Sequence, residues 1–233
     1  MASVARAAPL GASLVCHVVL LKFGPAFEAG DMVQAEREIG ALLGIPGVRC
    51  VAFAATGGSA ASRGPYTHCV VGLLESPDAL KAYGPHPLHQ AWVGKWVKTH
   101  QQADTPVLAL DSFSAVFFGA AAPPGASRAF VQFTAFASGG ALSEASCAAL
   151  LASSQGPLAA CQGCYAAASG TSFTRDRSRD CDWLACALYR SPSACRAAGA
   201  AGALGRGPYV SKSSARYVVE TEALLHWGSG SSP

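Results

Sequence analysis

One ten-residue pattern occurs twice in this chain, displaced by 115 residues. Glu75-Ser76-Pro77-Asp78-Ala79-Leu80-Lys81-Ala82-Tyr83-Gly84 returns as Arg190-Ser191-Pro192-Ser193-Ala194-Cys195-Arg196-Ala197-Ala198-Gly199. The copy keeps the Ser-Pro start and the closing glycine but loses the polar rings. Tyr83 corresponds to Ala198, His86 to Ala201 and His89 to Leu204. A duplication constrains the fold strongly. Two halves of ordinary domain size must each form the same elements, although only the first retains proton-handling side chains.

The first half supplies the element order. The aliphatic and β-branched run Leu14 to Phe23 predicts a strand. Met32, Ala35, Ile39 and Leu42 fall on one helical stripe between Asp31 and Leu43, and Gly44, Pro46 and Gly47 end it. Val48 to Ala55 and Thr67 to Glu75 predict two more strands. Ser76-Pro77-Asp78 is a helix start, with an N-cap serine, a proline in the first helical position and an acid near the positive end of the dipole. Gly84-Pro85 stops that helix, His86-Pro87 begins another, and Pro106 to Phe113 predicts a fourth strand. The order β-α-β-β-α-β is ferredoxin-like.

The second half repeats that order, with strands expected at Phe130–Ala137, Gly163–Ala168, Asp182–Tyr189 and Ala215–Leu224 and helices at Ser143–Ser153 and Ser191–Ala203. The expected division is an N-terminal extension (1–13), a first domain (14–118), a Gly/Ala/Pro linker (119–127), a second, degenerate domain (128–227) and a tail (228–233). A four-stranded open sheet leaves one face bare. The fold class expected is therefore α+β: two tandem ferredoxin-like units whose sheets cover each other as an intramolecular dimeric α/β barrel. Such a chain is a monomeric pseudo-dimer.

Composition narrows the partners. Only 13% of residues are charged, and a net charge of +3 on scattered basic residues gives no nucleic-acid footprint. Arg175-Asp176-Arg177-Ser178-Arg179-Asp180 alternates in sign and reads as a solvated loop. No window supplies the ~18 apolar residues of a membrane span. Met1 to Ala12 lacks the apolar core of a secretory signal. The nine cysteines then read as reduced thiols in a cytoplasmic setting, with plastid or peroxisome as alternatives. Cys161, Cys164, Cys181 and Cys186 invite a zinc hypothesis, but Cys181 and Cys186 fall on opposite faces of a strand and no histidine accompanies them. Neither a metal nor a cofactor is expected.

The polar rings of the first half form the candidate site. Strand periodicity puts His17, Val19, Leu21 and Phe23 on one face of the first strand, and His68, Val70 and Gly72 on one face of the third. Reading these two strands as the central, adjacent, parallel pair sets His17 and His68 side by side. Tyr83 and His89 then descend onto that face from the helices, Gly72 leaves a gap in the floor, and Phe23 and Trp92 form walls. His86 stands beside them but also suits a helix cap. An apolar pocket with convergent polar groups is the usual form of a small-molecule site. Its chemistry is proton transfer: a neutral imidazole takes a proton from an acidic carbon, and a phenol donates to the developing enolate oxygen.

The first half also resembles the stress-responsive dimeric A/B barrel (Dabb) family. The resemblance rests on His17, Lys22 and Phe23 in the first strand, Ile45-Pro46-Gly47-Val48, Tyr66-Thr67-His68, Glu75-Ser76-Pro77, and Tyr83 with His86, Pro87 and His89. It covers most of residues 14–115. That family includes heat-stable plant stress proteins and a plant polyketide cyclase. The resemblance implies Tyr83 and His89 as the catalytic pair of a cyclase-like enzyme, with His89 as general base and Tyr83 as hydrogen-bond donor. His17 and His68 then accompany them as strand histidines. The leading expectation is a stress-response barrel that binds a small hydrophobic or carbonyl-bearing ligand in the first domain without catalysis, with the cyclase-like enzyme and a structural stress protein as alternatives. The second half departs from the pattern, with Gln132 near the His17 position and Trp183 at that of His68.

Overall fold

In the computed structural model, residues 14–57, 63–117, 125–136, 163–174, 176–178, 181, 183–200 and 215–228 are described. The expected N-terminal extension, the helix at Ser143–Ser153, most of the linker, Cys161, Ala201 and Leu204 lie outside these residues.

The first half contains β1 (Leu14–Leu21), α1 (Ala29–Glu38), β2 (Val48–Ala55), β3 (His68–Leu74), α2 (Pro77–Tyr83), α3 (Pro87–Trp92) and β4 (Leu108–Phe117). The second contains β5 (Gly125–Phe136), β6 (Cys164–Thr171), β7 (Trp183–Tyr189), α4 (Pro192–Ala200) and β8 (Ala215–Trp227). The eight strands close into a barrel in the order β1-β3-β2-β8-β5-β7-β6-β4. Within it the first half reads β4-β1-β3-β2 and the second β8-β5-β7-β6, the same arrangement twice. The edge strand β2 joins β8 through Cys50 and Val51, and β4 joins β6 through Ala115, Val116 and Phe117. These two junctions are related by the duplication, and each removes an edge that would otherwise expose unpaired backbone groups. The chain is thus two tandem ferredoxin-like halves forming one α/β barrel.

One expectation fails here. β1 and β3 are adjacent, but they run antiparallel, with His17 opposite Gly72 and Leu21 opposite His68. The α1 crossover returns β2 parallel to β1, and the β2–β3 connection then reverses the chain. His17 and His68 share a face, yet four residues, or ~13 Å of strand, separate them. Two boundaries also move. β1 ends at Leu21, with Phe23 held by a single bridge to Gln101, and β5 begins at Gly125 inside the expected linker.

Both faces of β1 are covered, which is why it is apolar apart from His17 rather than alternating. Cys16, Val18 and Leu20 point into the barrel with Val71, Phe133, Leu184 and Leu225. Val15, Leu21, Phe53 and Val70 form a second layer with Ile39, Tyr83, Trp92 and Trp96 from the helices. His17 and His68 stand on this helix-covered face, by their register with Gly72 and Leu21. Arg128 of β5 donates two hydrogen bonds to the buried Glu36 carboxylate of α1, at 3.0 and 3.1 Å, and ties the halves together outside the sheet.

Local chemistry sets the helix that carries Tyr83. The Ser76 hydroxyl accepts the Ala79 N–H at 3.1 Å, and Pro77 occupies the first helical position. Gly47, at φ +84°, lies so close that an added Cβ would stand 2.6 Å from the Ala79 Cβ. Gly47→Ala therefore forces both left-handed strain and a clash, and it should lower the urea midpoint more than Ser76→Ala, a cap loss of about 1 kcal/mol. Gly30→Ala, whose Cβ would meet nothing within 4 Å, should raise the midpoint, by about 0.5–1 kcal/mol. A urea titration of the three variants checks that order.

Candidate functional site

A cavity of about 730 Å³ opens between the helix-side face of the sheet and α2–α3. That volume suits a drug-sized ligand. Its floor is His17, Val19, Leu21 and Val70, and its helical wall includes Leu80, Tyr83, His89, Trp92, Val93 and Val97. Val93 and Val97 belong to a π-helical turn, Val93–Val97, that continues α3 to His100. Such widened turns recur at functional sites. The remaining wall crosses the duplication: Val107 and Ala109 come from the first half, and Phe173, Thr174 and Arg177 from the second.

Of the eight residues singled out in the sequence, the structure brings His17, Tyr83, His89 and Trp92 into this cavity. The Tyr83 ring stands between the two imidazoles, 5.7 Å from His17 and 4.3 Å from His89 by ring centroids. Trp92 packs edge-on against Phe53 and donates its Nε1–H to the Ala35 carbonyl at 3.4 Å.

The other four are placed elsewhere. Antiparallel pairing carries His68 to the far end of the face, where it stacks on Phe53 and contacts Phe23 and Phe27. Its Nδ1 lies 2.8 Å from the Thr67 hydroxyl. Phe23 belongs to the same aromatic group, six residues along from His17, and forms no cavity wall. Gly72 opposes His17 in the floor but lies outside the cavity lining, and an added Cβ there would meet only ordinary contacts from 3.7 Å. His86 caps α3, its Nδ1 accepting the Leu88 N–H at 3.2 Å.

The residue that sequence reasoning missed is Asp111. It is fully buried at 0% exposure, opposite His17 in the β1–β4 register. One carboxylate oxygen accepts a hydrogen bond from His17 Nδ1. The other accepts from the Thr174 hydroxyl at 2.8 Å and from the Arg177 guanidinium at 3.3 Å. Burial alone would push this carboxyl up. His17, Thr174 and Arg177 together outweigh burial and hold it below the usual carboxylate value. Asp111 is therefore ionised at neutral pH. The signal for it was a lone aspartate in the apolar run Leu108-Ala109-Leu110, since such a residue is almost never fully buried unless paired. Arg177, in an exposed loop as expected, also reaches Asp111 and the cavity wall.

These contacts fix which nitrogen of each histidine carries a proton. A carboxylate only accepts, so His17 holds its proton on Nδ1. The Gly84 carbonyl only accepts, so His89, whose Nδ1 lies 2.8 Å from it, is protonated there too. In His89, Nε2 is left as the lone-pair nitrogen. Burial, with His17 and His86 nearby, pulls the His89 pKa down against the opposing Gly84 carbonyl. Burial, with the Asp111 charge, pushes the Tyr83 hydroxyl up. Near pH 7 the cavity thus holds a neutral imidazole base at His89 beside a phenol that keeps its proton. No cluster of metal-binding side chains occurs among the described residues, where Cys181 and Cys186 are both buried. No helix among them is long and apolar enough to cross a membrane.

The half-buried His68 gives a pH test. Burial lowers its pKa from 6.5 to about 4, so below pH 6.5 the unfolded chain binds a proton that the folded chain refuses. Stability from this residue is intact above about 6.5 and is lost as pH falls toward about 4. His68→Phe should flatten the fall of the urea midpoint across that window. An unchanged pH dependence would assign the acid sensitivity to other groups.

Comparison with known proteins agrees with this architecture. A crystal structure of a candidate monooxygenase from Fusobacterium nucleatum subsp. nucleatum superposes with a TM-score of 0.59 at 11% identity, covering 94% of each chain. That of an anthrone oxidase-like protein gives 0.56 at 11% identity, covering 94% of this chain and 95% of the other. A candidate monooxygenase from Lactobacillus acidophilus gives 0.52 at 10% identity, covering 91% and 93%. At such identities these likenesses speak to the fold, across both halves of the chain. No curated protein sequence matches the chain. The first half does match a family model: residues 15–112 are similar to the stress responsive A/B barrel domain.

Proposed function

We propose that the first half of this barrel binds a small, largely apolar, carbonyl-bearing molecule in the cavity beside Tyr83. The observation that carries the reading is the convergence of His17, Tyr83 and His89 on one apolar cavity of about 730 Å³. Leu80, Val93, Val97 and Trp92 suit an apolar body, and the three rings suit one polar end. The names of the two structural neighbours described as candidate monooxygenases and of the anthrone oxidase-like protein are compatible with a ligand in this fold.

A second reading adds catalysis, in the manner of a polyketide cyclase. It is favoured by the His89 tautomer, whose Nδ1–H is committed to Gly84 while Nε2 retains its lone pair. Nε2 removes a proton from the carbon between two carbonyls. The Tyr83 O–H donates to the oxygen on which the enolate charge develops. The carbanion then attacks a second carbonyl of the same chain, and the proton on His89 returns to the alkoxide formed. No external oxidant or cofactor enters this balance.

An aryl 1,3-diketone tests both readings. Wild-type protein should bind it in calorimetry with one site per chain, and it should speed exchange of the central hydrogens for deuterium. His89→Ala and Tyr83→Phe should slow exchange by ~10²-fold or more. His89→Ala should cost little stability, because Gln90 Nε2 also donates to the Gly84 carbonyl, at 2.7 Å. Binding without exchange would leave a ligand-binding barrel. Absence of binding, together with a large loss of stability in His89→Ala, would make these rings structural and overturn the proposal.

We further propose that the two domains, near 14–118 and 128–227, work within a single chain. Light scattering should then give 23.7 kDa at micromolar concentration. A stable dimer would count against this. The isolated segment 1–120 should dimerise or aggregate, because β2 and β4 lose their partners β8 and β6.

A further inference from the structure

We propose that the second half of the chain completes the site of the first, with Thr174 and Arg177 as positioning residues that act on His17 through Asp111. This deepens the reading of the cavity as a proton-transfer site and rests on it. The geometry is continuous. Thr174 Oγ1 and Arg177 bond one oxygen of Asp111, and His17 Nδ1 bonds the other. The loop that carries them is fastened to β4 by its own backbone. Phe173 N–H donates to the Asp111 carbonyl at 2.9 Å, and Ala109 N–H donates to the Arg177 carbonyl at 3.1 Å. Ser172 Oγ lies 3.4 Å from the Asp111 N–H.

Asp111 is fully buried, so its carboxylate is oriented by protein donors. A carboxylate held at one oxygen only could rotate about its Cβ–Cγ bond or pair poorly with the ring. Two donors from the second half fix the second oxygen, and the plane of the carboxylate then points the first at His17 Nδ1. The consequence for His17 is a choice of tautomer. With Nδ1–H engaged, Nε2 is the nitrogen without a partner among the described residues, and the ring lines the cavity beside Tyr83. Ligated or catalytic imidazoles are commonly oriented in this way by a carboxylate behind them. Here the groups that orient the carboxylate come from the opposite half of the duplication.

The test reads the tautomer first and chemistry second. Nitrogen-15 NMR of histidine-labelled full-length protein, with His17 assigned through His17→Gln, should show a single Nδ1–H form in the wild type. Thr174→Val combined with Arg177→Gln should turn the His17 signals into a mixture of tautomers while the other histidine signals stay in place. Thr174→Ser, which keeps the hydroxyl, should look wild type, and circular dichroism confirms that each variant is folded. With the aryl 1,3-diketone, the double variant should lose at least tenfold in kcat for deuterium exchange while KM stays within about twofold. That split is expected of a residue that positions a reacting group.

An Nε2–H form in the wild type overturns the proposal. So does a His17 tautomer that survives unchanged in the folded double variant. A tautomer shift in a protein that never exchanges the diketone upholds the positioning role and sinks the catalytic reading instead. If the double variant does not fold, Asp111→Asn supplies the measurement: with its amide oxygen accepting from Thr174 and Arg177, its NH2 faces Nδ1, and His17 should lose the single Nδ1–H form. A single unchanged tautomer there overturns the proposal as well.

Discussion

A buried carboxylate must be surrounded by donors or be neutral, and Asp111 shows how much of this structure follows from that requirement. Its side chain is inaccessible to water, and its three side-chain donors come from β1 and from the loop after β6. An unpaired carboxylate at such a place would cost several kcal/mol. The halves therefore cannot separate at this seam without exposing or stranding a charge. Docking of the loop on β4, closure of the barrel between β4 and β6, and the orientation of His17 are linked through one residue.

The duplication gives this arrangement an internal control. His17 lies opposite Asp111 across β1–β4, and Gln132 lies opposite Glu220 across β5–β8. In each half the pair occupies the same place in the sheet. In the second half the amide Nε2 of Gln132 donates to Glu220 Oε1 at 2.5 Å. The acceptor is kept, but the imidazole is gone, and an amide offers no base near neutral pH. Likewise His68 pairs with Leu21 in the first half, while Trp183 pairs with Phe136 in the second. The scaffold repeats more faithfully than the chemistry placed on it.

Much of the fold was legible because it follows from local pattern. Ser76-Pro77 starts a helix, Gly84-Pro85 ends it, and the strand runs of both halves lie within a few residues of where periodicity puts them. The duplication then required two sheets that close on each other. The site was read only in part, for reasons of direction and distance. Treating β1 and β3 as parallel set His68 beside His17, whereas their antiparallel register separates the two and packs His68 against phenylalanines. Phe23 shared the right face but lay too far along it. Thr174 and Arg177 follow from a contact between halves that no periodicity encodes. Asp111 alone left a readable trace, as a charge in an apolar strand.

A division of labour between duplicated halves changes what loss of a site means. Once both halves are in one chain, symmetry no longer forces each to carry the same side chains. The first half can keep Tyr83 and His89, while the second gives up rings at those positions and supplies donors to Asp111 instead. In a barrel made of two identical chains, any residue that oriented a partner's carboxylate would also be present in the half that holds the rings, with its own packing to satisfy. Covalent linkage removes that conflict. The alanine-rich second half is then free to act as wall and clamp, and its missing histidines are no obstacle to a working site in the first.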